Sequence, residues 1–423
     1  MRNVDAAGLG IGDDHPPRIM GVLNVSSESP YDPSVYDDPG EAAEYVDEEL
    51  IGEGADIVDV GLESANKDLD VLSAEQELDR LDTAVETLES TSGDAVWSIE
   101  TRYHEVADEA LARGFDMVND ICGFADPEMP RVCREHDVAV SKMASPPDLG
   151  RPGAIEDVDD IYDALAMNGF TDKTILDPAF GGWSEEKTLA DDRETFRRLR
   201  EFRGYGRPLL VSINRKNFLR DLADRTTEAA LPVSLAATSM AVERGAHVIR
   251  THDVAETRDA ALIGAAFTRD RTRVTTVADR DTAAADRDTA VSNLDVDADV
   301  VVEELDVTTV REAERHLDRI GAPPDIAGQT VVHSYELSGL SEAAIGALRA
   351  ATTDGPAAFV LGEPSIPVTA DAVDAGETPD RPETPARGLL VGTPDAIETV
   401  GTRVSDVSNA LDRVFDEISA AMA

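Results

Sequence analysis

From Arg18 onward the chain alternates short β-branched or apolar runs with longer stretches whose apolar residues recur at helical spacing, the pattern of β/α units around a parallel sheet. Eight runs read as strands: Ile19 to Val25, Ile57 to Val60, Val96 to Ile99, Met117 to Asn119, Val138 to Ser141, Thr174 to Leu176, Leu209 to Ile213 and His247 to Arg250. Between them the spacing predicts helices over Glu41 to Gly52, Ala74 to Leu88, Val106 to Arg113, Glu128 to Arg134, Val158 to Asn168, Arg193 to Arg203, Leu231 to Glu243 and Ala255 to Phe267. Ser73, with Gln76 three residues later, has the form of a capping box ahead of the second of these. Eight alternations in about 250 residues match a closed barrel, whereas a doubly wound sheet would bring fewer strands and an early GxGxxG, which does not follow the first run.

The expected fold class is therefore α/β, a (β/α)8 TIM barrel with an additional small α/β C-terminal domain. Residues 1–17 read as an N-terminal tail, 18–268 as the barrel, 269–292 as an acidic linker and 293–423 as the C-terminal extension. In the linker, Arg269 to Ala290 is rich in Asp, Arg, Thr and Ala without apolar period. In the extension, strands are expected at Val300 to Leu305, Thr330 to Tyr335, Ala358 to Leu361 and Gly388 to Gly392. Helices are expected at Val310 to Ile320, Glu342 to Ala350 and Val404 to Met422, and an exposed loop at Ala375 to Arg387. No catalytic constellation is visible there.

Charge narrows the partners. With 86 acidic against 38 basic residues, a formal net charge of -48, the chain lacks the basic face that DNA or RNA requires. The acids are spread over every segment, and only five of the basic residues are lysine. That composition implies a cytoplasm of very high salt, where a screening length of about 3 Å at 1 M makes the repulsion tolerable. Cys122 and Cys133 lack partners at metal-ligand spacing and read as small buried groups. With no apolar stretch of about 18 residues and no signal-peptide core, no membrane association is expected, and the location expected is cytoplasmic.

In a barrel of this kind the chemistry sits at the C-terminal ends of the strands. The residues there are Asn24, the Glu63-Ser64 turn, Glu100, Asn119-Asp120, Asp177, Asn214-Arg215-Lys216 and Arg250-Thr251-His252-Asp253. Singly, each is accounted for as a cap or turn residue. Together they form a ring of amides and carboxylates suited to a flat heterocycle with several N–H donors, beside Arg, His and Lys suited to a phosphorylated leaving group.

At these residues the chain resembles the dihydropteroate synthases. The resemblance is carried by Ile19-Met20-Gly21-Val22-Leu23-Asn24-Val25, by Gly54-Ala55-Asp56-Ile57-Val58-Asp59-Val60-Gly61 with Glu63-Ser64, and by Val118-Asn119-Asp120-Ile121. It continues through Leu176-Asp177-Pro178 with Phe180-Gly181, Asn214-Arg215-Lys216, Gly245-Ala246 and Arg250-Thr251-His252-Asp253-Val254, in the family's order. What it implies is condensation of 6-hydroxymethyl-7,8-dihydropterin diphosphate with 4-aminobenzoate. Asn119, Asp177 and Lys216 would line the pterin pocket, with Glu100 where the family has aspartate. Asn24, Arg250 and His252 would hold the diphosphate, Asn24 through Mg2+, and Phe180 and Asn214 would also contact substrate. Lys216, Arg250 and His252 are the catalytic candidates, and by analogy with the family the barrel pairs with itself as a homodimer.

The departures from the family cluster on the arylamine side. Ala65, Asn66 and Lys67 stand where the family has threonine, arginine and proline, and Asn66 supplies no charged fork. The first loop reads Ser26-Ser27-Glu28-Ser29-Pro30-Tyr31-Asp32, Asn214 replaces a serine, and Gly182-Trp183 replaces a glycine-aromatic pair. Two other readings accommodate these changes. One is a pterin-binding methyltransferase barrel, which matches Asn214-Arg215-Lys216 and Arg250-Thr251-His252-Asp253 less well. The other is a non-catalytic relative that serves binding or assembly.

Overall fold

The computed structural model describes residues 2–26, 32–63, 71–181, 186–271, 273–276, 300–362, 387–405 and 407–422. The chain divides into two compact units, Met1–Asp306 and Val307–Ala423.

The first unit opens with a hairpin, β1 (Val4–Ala6) and β2 (Leu9–Ile11), followed by β3 (Arg18–Asn24), β4 (Ile57–Gly61), β5 (Val96–Thr101), β6 (Met117–Asp120), β7 (Ala139–Met143), β8 (Thr174–Asp177), β9 (Leu210–Val211) and β10 (Val248–Thr251). β3 to β10 form one parallel sheet in the order β8-β7-β6-β5-β4-β3-β10-β9. A parallel bridge between Leu176 and Leu209 joins its two ends, so the sheet closes into the expected barrel. β9 is shorter than its apolar run because Pro208 precedes it and the Ile213 carbonyl already turns to accept the Lys216 N–H.

Helices Pro39–Tyr45, Ala74–Ser90, His104–Ala112, Met129–Glu135, Val158–Ala166, Leu189–Arg197, Leu231–Glu243 and Val254–Ala266 alternate with the strands. A short helix, Asn217–Ala223, is added after β9. The capping box is present: Ser73 Oγ accepts from the Gln76 N–H at 3.3 Å and the Gln76 side chain accepts from the Ser73 N–H at 2.9 Å.

Because side chains alternate across a strand, every second residue points into the barrel. The deepest tier is wholly apolar: Met20, Ile57, Val96, Met117, Ala139, Ile175, Leu210 and Val248, one from each strand. Val4, Ala6 and Ile11 complete this cluster from the hairpin. The segment expected as a tail is thus the floor of the barrel, each fully buried branched side chain contributing about 1.5–3 kcal/mol. Asp13 ties it down, 3.0 Å from each of Arg203, His247 and Arg271. One residue further up each strand's inward face the tier turns polar in all but Val22: Asp59, Ser98, Asn119, Ser141, Asp177, Ser212 and Arg250.

Outward positions pack against the helices. Lys142 is one of them, fully buried, donating to the carbonyls of Leu165 at 3.0 Å and Gly169 at 2.9 Å and to Met167. Its charge caps the C-terminus of Val158–Ala166, a favourable end for a cation. Burial still pushes its pKa down to about 8.

The expected linker is partly structured. β11 (Arg273–Thr276) pairs antiparallel with β12 (Val300–Glu303) inside the first unit, while residues 277–292 of the linker lie outside the described residues. The C-terminal unit accordingly begins at Val307, later than the expected residue 293. It carries a three-stranded antiparallel sheet ordered β13 (His333–Ser338), β15 (Arg387–Gly392), β14 (Ala358–Leu361). Helices Val310–Arg319, Glu342–Thr352, Pro394–Val404 and Asn409–Met422 accompany it, around a core that includes Leu348, Leu390, Ile397 and Phe415. The helix expected over Val404 to Met422 spans Asn409–Met422, and a further helix, Pro394–Val404, precedes it. Of the expected Ala375 to Arg387 loop, residues 375–386 lie outside the described residues.

Candidate active site

The polar tier and the strand ends above it enclose a cavity of about 220 Å³. Asn24, Glu100, Asn119, Asp177, Phe180, Asn214, Lys216, Arg250 and His252 all line it, so the nine residues expected to contact substrate meet at one opening. Val22, Glu63, Ile121, Met143, Ala179, Ser212 and Thr251 complete the wall.

Arg250, on β10, is held by carboxylates from β4 and β5 across the mouth. Arg250 donates through Nε to Asp59 at 2.7 Å and through Nη2 to Glu100 at 2.6 Å. Asn119 donates through Nδ2 to the same Asp59 oxygen at 3.0 Å. Lys216 lies along Gly181, where a Cβ would stand 2.9 Å from Nζ. With φ at +116° as well, that position requires glycine. Behind this turn Lys187 holds the Ala179 carbonyl at 2.7 Å and Asp192 at 3.3 Å, while Asp192 accepts the Gly181 N–H.

Asp177 accepts the Ala179 N–H at 2.8 Å. Burial pushes its pKa up to about 6 against the pull of that bond and of Lys216 and Arg250. Burial likewise raises Glu100, which Arg250 opposes. It lowers Lys216, assisted by Arg250, with Asp177 opposing. His252 is driven down to about 3 by burial and by Arg250, so it stands in the site as a neutral imidazole beside a fixed guanidinium. Asn24 donates Nδ2 to Ser34 Oγ at 3.0 Å, which leaves its carbonyl oxygen to the cavity.

Not every strand-end residue takes part. Arg215, at φ +52°, forks onto Asp253 with two 2.8 Å bonds, and Asn214 donates to the same carboxylate at 2.8 Å. Arg215 and Asp253 therefore clasp the loops after β9 and β10 instead of entering the cavity. Asp120 accepts the N–H groups of Cys122 and Phe124 at 2.8 and 2.6 Å and shapes a turn.

Asp59 and Arg102 were assigned no role by the sequence. Asp59 is buried beneath the cavity; its signal was a charge at an inward position of an apolar strand. Arg102, also buried, pairs with Glu63 and donates to the Leu149 carbonyl at 2.7 Å, joining loops after β4, β5 and β7. Ser64 to Lys67, Ser27 to Tyr31 and Gly182-Trp183 lie outside the described residues.

Comparison with known proteins gives a family model described as pterin binding enzyme, matching residues 20–252. Dihydropteroate synthase of Bacillus subtilis is 31% identical over 242 residues, 56% of this chain and 83% of that protein. A probable bifunctional folylpolyglutamate synthase/dihydropteroate synthase of Halobacterium salinarum is 32% identical over 260 residues, 59% of this chain and 31% of that protein. Among solved structures, a dihydropteroate synthase of Coxiella burnetii in complex with pteroic acid superposes with a TM-score of 0.54 at 28% identity, covering 63% of this chain and 98% of that one. The Thermus thermophilus enzyme in complex with 4-aminobenzoate gives 0.52 at 29% identity, covering 63% and 100%.

Proposed function

The chain belongs to the dihydropteroate synthase family of pterin-binding enzymes, and from that footing we propose that it condenses 6-hydroxymethyl-7,8-dihydropterin diphosphate with 4-aminobenzoate, giving dihydropteroate and diphosphate. The observation that supports this most directly is the convergence of Asn119, Asp177 and Lys216 with Arg250, His252 and Asn24 on one cavity at the C-terminal mouth of the barrel.

The deep part of the cavity suits the ring. The Asp177 carboxylate accepts from ring N–H or amino groups, Asn119 offers its carbonyl oxygen, and Lys216 donates to a ring nitrogen or carbonyl. The mouth suits the tail. As the methylene carbon–oxygen bond breaks, its electron pair leaves on the diphosphate. Arg250, locked by two carboxylates, meets that charge without reorganising, and neutral His252 adds a hydrogen bond. Such fixed donors typically contribute about 10²–10³ in rate. The arylamine nitrogen then bonds the electron-poor methylene and gives up its proton, so no covalent nucleophile is needed.

The Asn24 carbonyl oxygen is a hard donor of the kind Mg2+ takes beside phosphate oxygens and water. The ion, when bound, supplies further positive charge to the departing diphosphate. We place the reaction in the cytoplasm, which suits the free thiols of Cys122 and Cys133. Among the described residues no helix is long and apolar enough to cross a membrane.

We further propose a homodimer through Leu231–Glu243 and Val254–Ala266. These adjacent helices expose Met240, Leu262, Ile263 and Phe267, the last at 79%. Light scattering should give twice the chain mass for wild type and the single mass for Phe267→Glu; a monomeric wild type refutes the pairing.

The functional test is incubation of the full chain with Mg2+, the pterin diphosphate and 4-aminobenzoate in high salt. Pteroate and diphosphate should appear together, and failure to release diphosphate would overturn the proposal.

A further inference from the structure

We infer that Asp59, which touches no part of the cavity, is a positioning residue for this reaction: it decides which way Asn119 and Arg250 face. The inference rests on the functional reading above.

Asp59 sits at the inward position of β4, in register with Val22 and Ser98, and is fully buried. One of its oxygens accepts both the Arg250 Nε–H at 2.7 Å and the Asn119 Nδ2–H at 3.0 Å. A carboxylate paired with a guanidinium can only accept, so the Asn119 amide must turn its NH2 downward and leave its carbonyl oxygen as the group offered to the ligand. That presents an acceptor to a heterocycle whose edge carries N–H donors. Without Asp59 the amide can rotate by half a turn and present a donor instead, which repels such an edge.

The same bond fixes the guanidinium plane. With Nε on Asp59 and one Nη2 proton on Glu100, Arg250 cannot swing and keeps one orientation at the cavity wall.

A second observation separates this role from a purely structural one. The other Asp59 oxygen, and the hydroxyls of Ser98 and Ser141 on the same tier, are buried without a hydrogen-bond partner among the described residues. Burying an incompletely bonded carboxylate disfavours folding. Stability accounts for its pairing with Arg250 but not for the Asn119 bond on the same oxygen, whereas orienting two ligand-binding groups at once accounts for both.

The test is a double-mutant cycle of Asp59→Asn and Asn119→Ala in the full chain in high salt, reading the Kd of the pterin diphosphate by calorimetry and the KM of each substrate. Asp59→Asn should weaken pterin binding at least tenfold and leave the KM of the arylamine within about twofold. Asn119→Ala should cost several-fold less in the Asp59→Asn background than in wild type. Additive losses, or equal loss for both substrates, would show a structural role and overturn the inference. If Asp59→Asn does not fold, Asp59→Ser carries the same cycle with the charge removed. Wild type that neither binds the pterin nor turns over would sink the underlying functional reading and the inference with it; binding and turnover with an additive cycle would sink the inference alone.

Discussion

Replacing Asp177 by asparagine separates what this carboxylate costs the fold from what it does for the ligand. Burial raises its pKa from 3.8 to about 6, in spite of the Ala179 N–H, Lys216 and Arg250. A rise of about 2 units corresponds to roughly 3 kcal/mol in favour of the protonated form in the folded chain. For a raised carboxyl pKa the penalty is nil below 3.8, grows between 3.8 and about 6, and is complete above that. Asparagine is neutral throughout and keeps an oxygen for the Ala179 N–H, now at 2.8 Å. Part of the gain is returned, because Lys216, already lowered by burial and by Arg250, loses Asp177 and retains Asp192. Asp177→Asn should therefore be more stable than wild type at pH 8 by about 1–3 kcal/mol. The excess should vanish as pH falls toward 4, and pterin affinity should drop roughly 10²-fold. Denaturant melts in high salt across this pH range, with calorimetry of the pterin diphosphate, read both. A variant less stable than wild type at pH 8, or an excess independent of pH, would refute the burial argument.

Lys216→Ala should reduce pterin affinity or turnover by about 10²-fold, since it removes a buried charged donor; unchanged binding by calorimetry would remove Lys216 from the pocket. In Asp13, burial works to raise the pKa, but the bond from His247 and the charge of Arg203 hold it well below the usual carboxylate range. Its stabilisation is present above the ordinary carboxyl pKa and is lost as pH falls through the lower folded value. Asp13→Asn should cost about 3–5 kcal/mol at neutral pH and leave pterin affinity unchanged, because the floor and the cavity are at opposite ends of the barrel; a thermal melt and a titration read the two. Lowering salt should unfold the chain as repulsion among the 86 acids loses its screening, and circular dichroism showing full structure without salt would defeat that expectation.

The barrel was legible because strands buried on both faces read as unbroken apolar runs, while helices buried on one face keep the 3.6-residue period. The floor was not. Val4–Ala6 and Leu9–Ile11 are too short to show a period, and the turn between them is Ala7-Gly8, with φ of 49° and 92°. Asn-Gly would have announced such a turn, whereas alanine in that conformation does not. Few lysines remain, and Lys216 does enter the cavity, but Lys142 and Lys187 are buried too, each fixing backbone carbonyls. Scarcity selects for buried tasks of any kind, so it cannot by itself mark the catalytic one. Arg215 and Asp253 misled for a related reason: strand-end position says which mouth a residue occupies, and only its partner says which way it points.

The location of the charge pairs explains how a chain of net charge -48 can bind a substrate that is itself polyanionic. Acids on the surface repel a diphosphate over long range, and salt screens that repulsion within about 3 Å at 1 M. Arg250, Lys216 and their carboxylates lie below the surface, where counterions do not enter and screening is weak. High salt therefore removes the unfavourable outer field and leaves the inner one nearly intact. The site then depends on salt through encounter and through folding, while the bonds that orient Arg250 and Asn119 persist at any ionic strength that keeps the barrel closed.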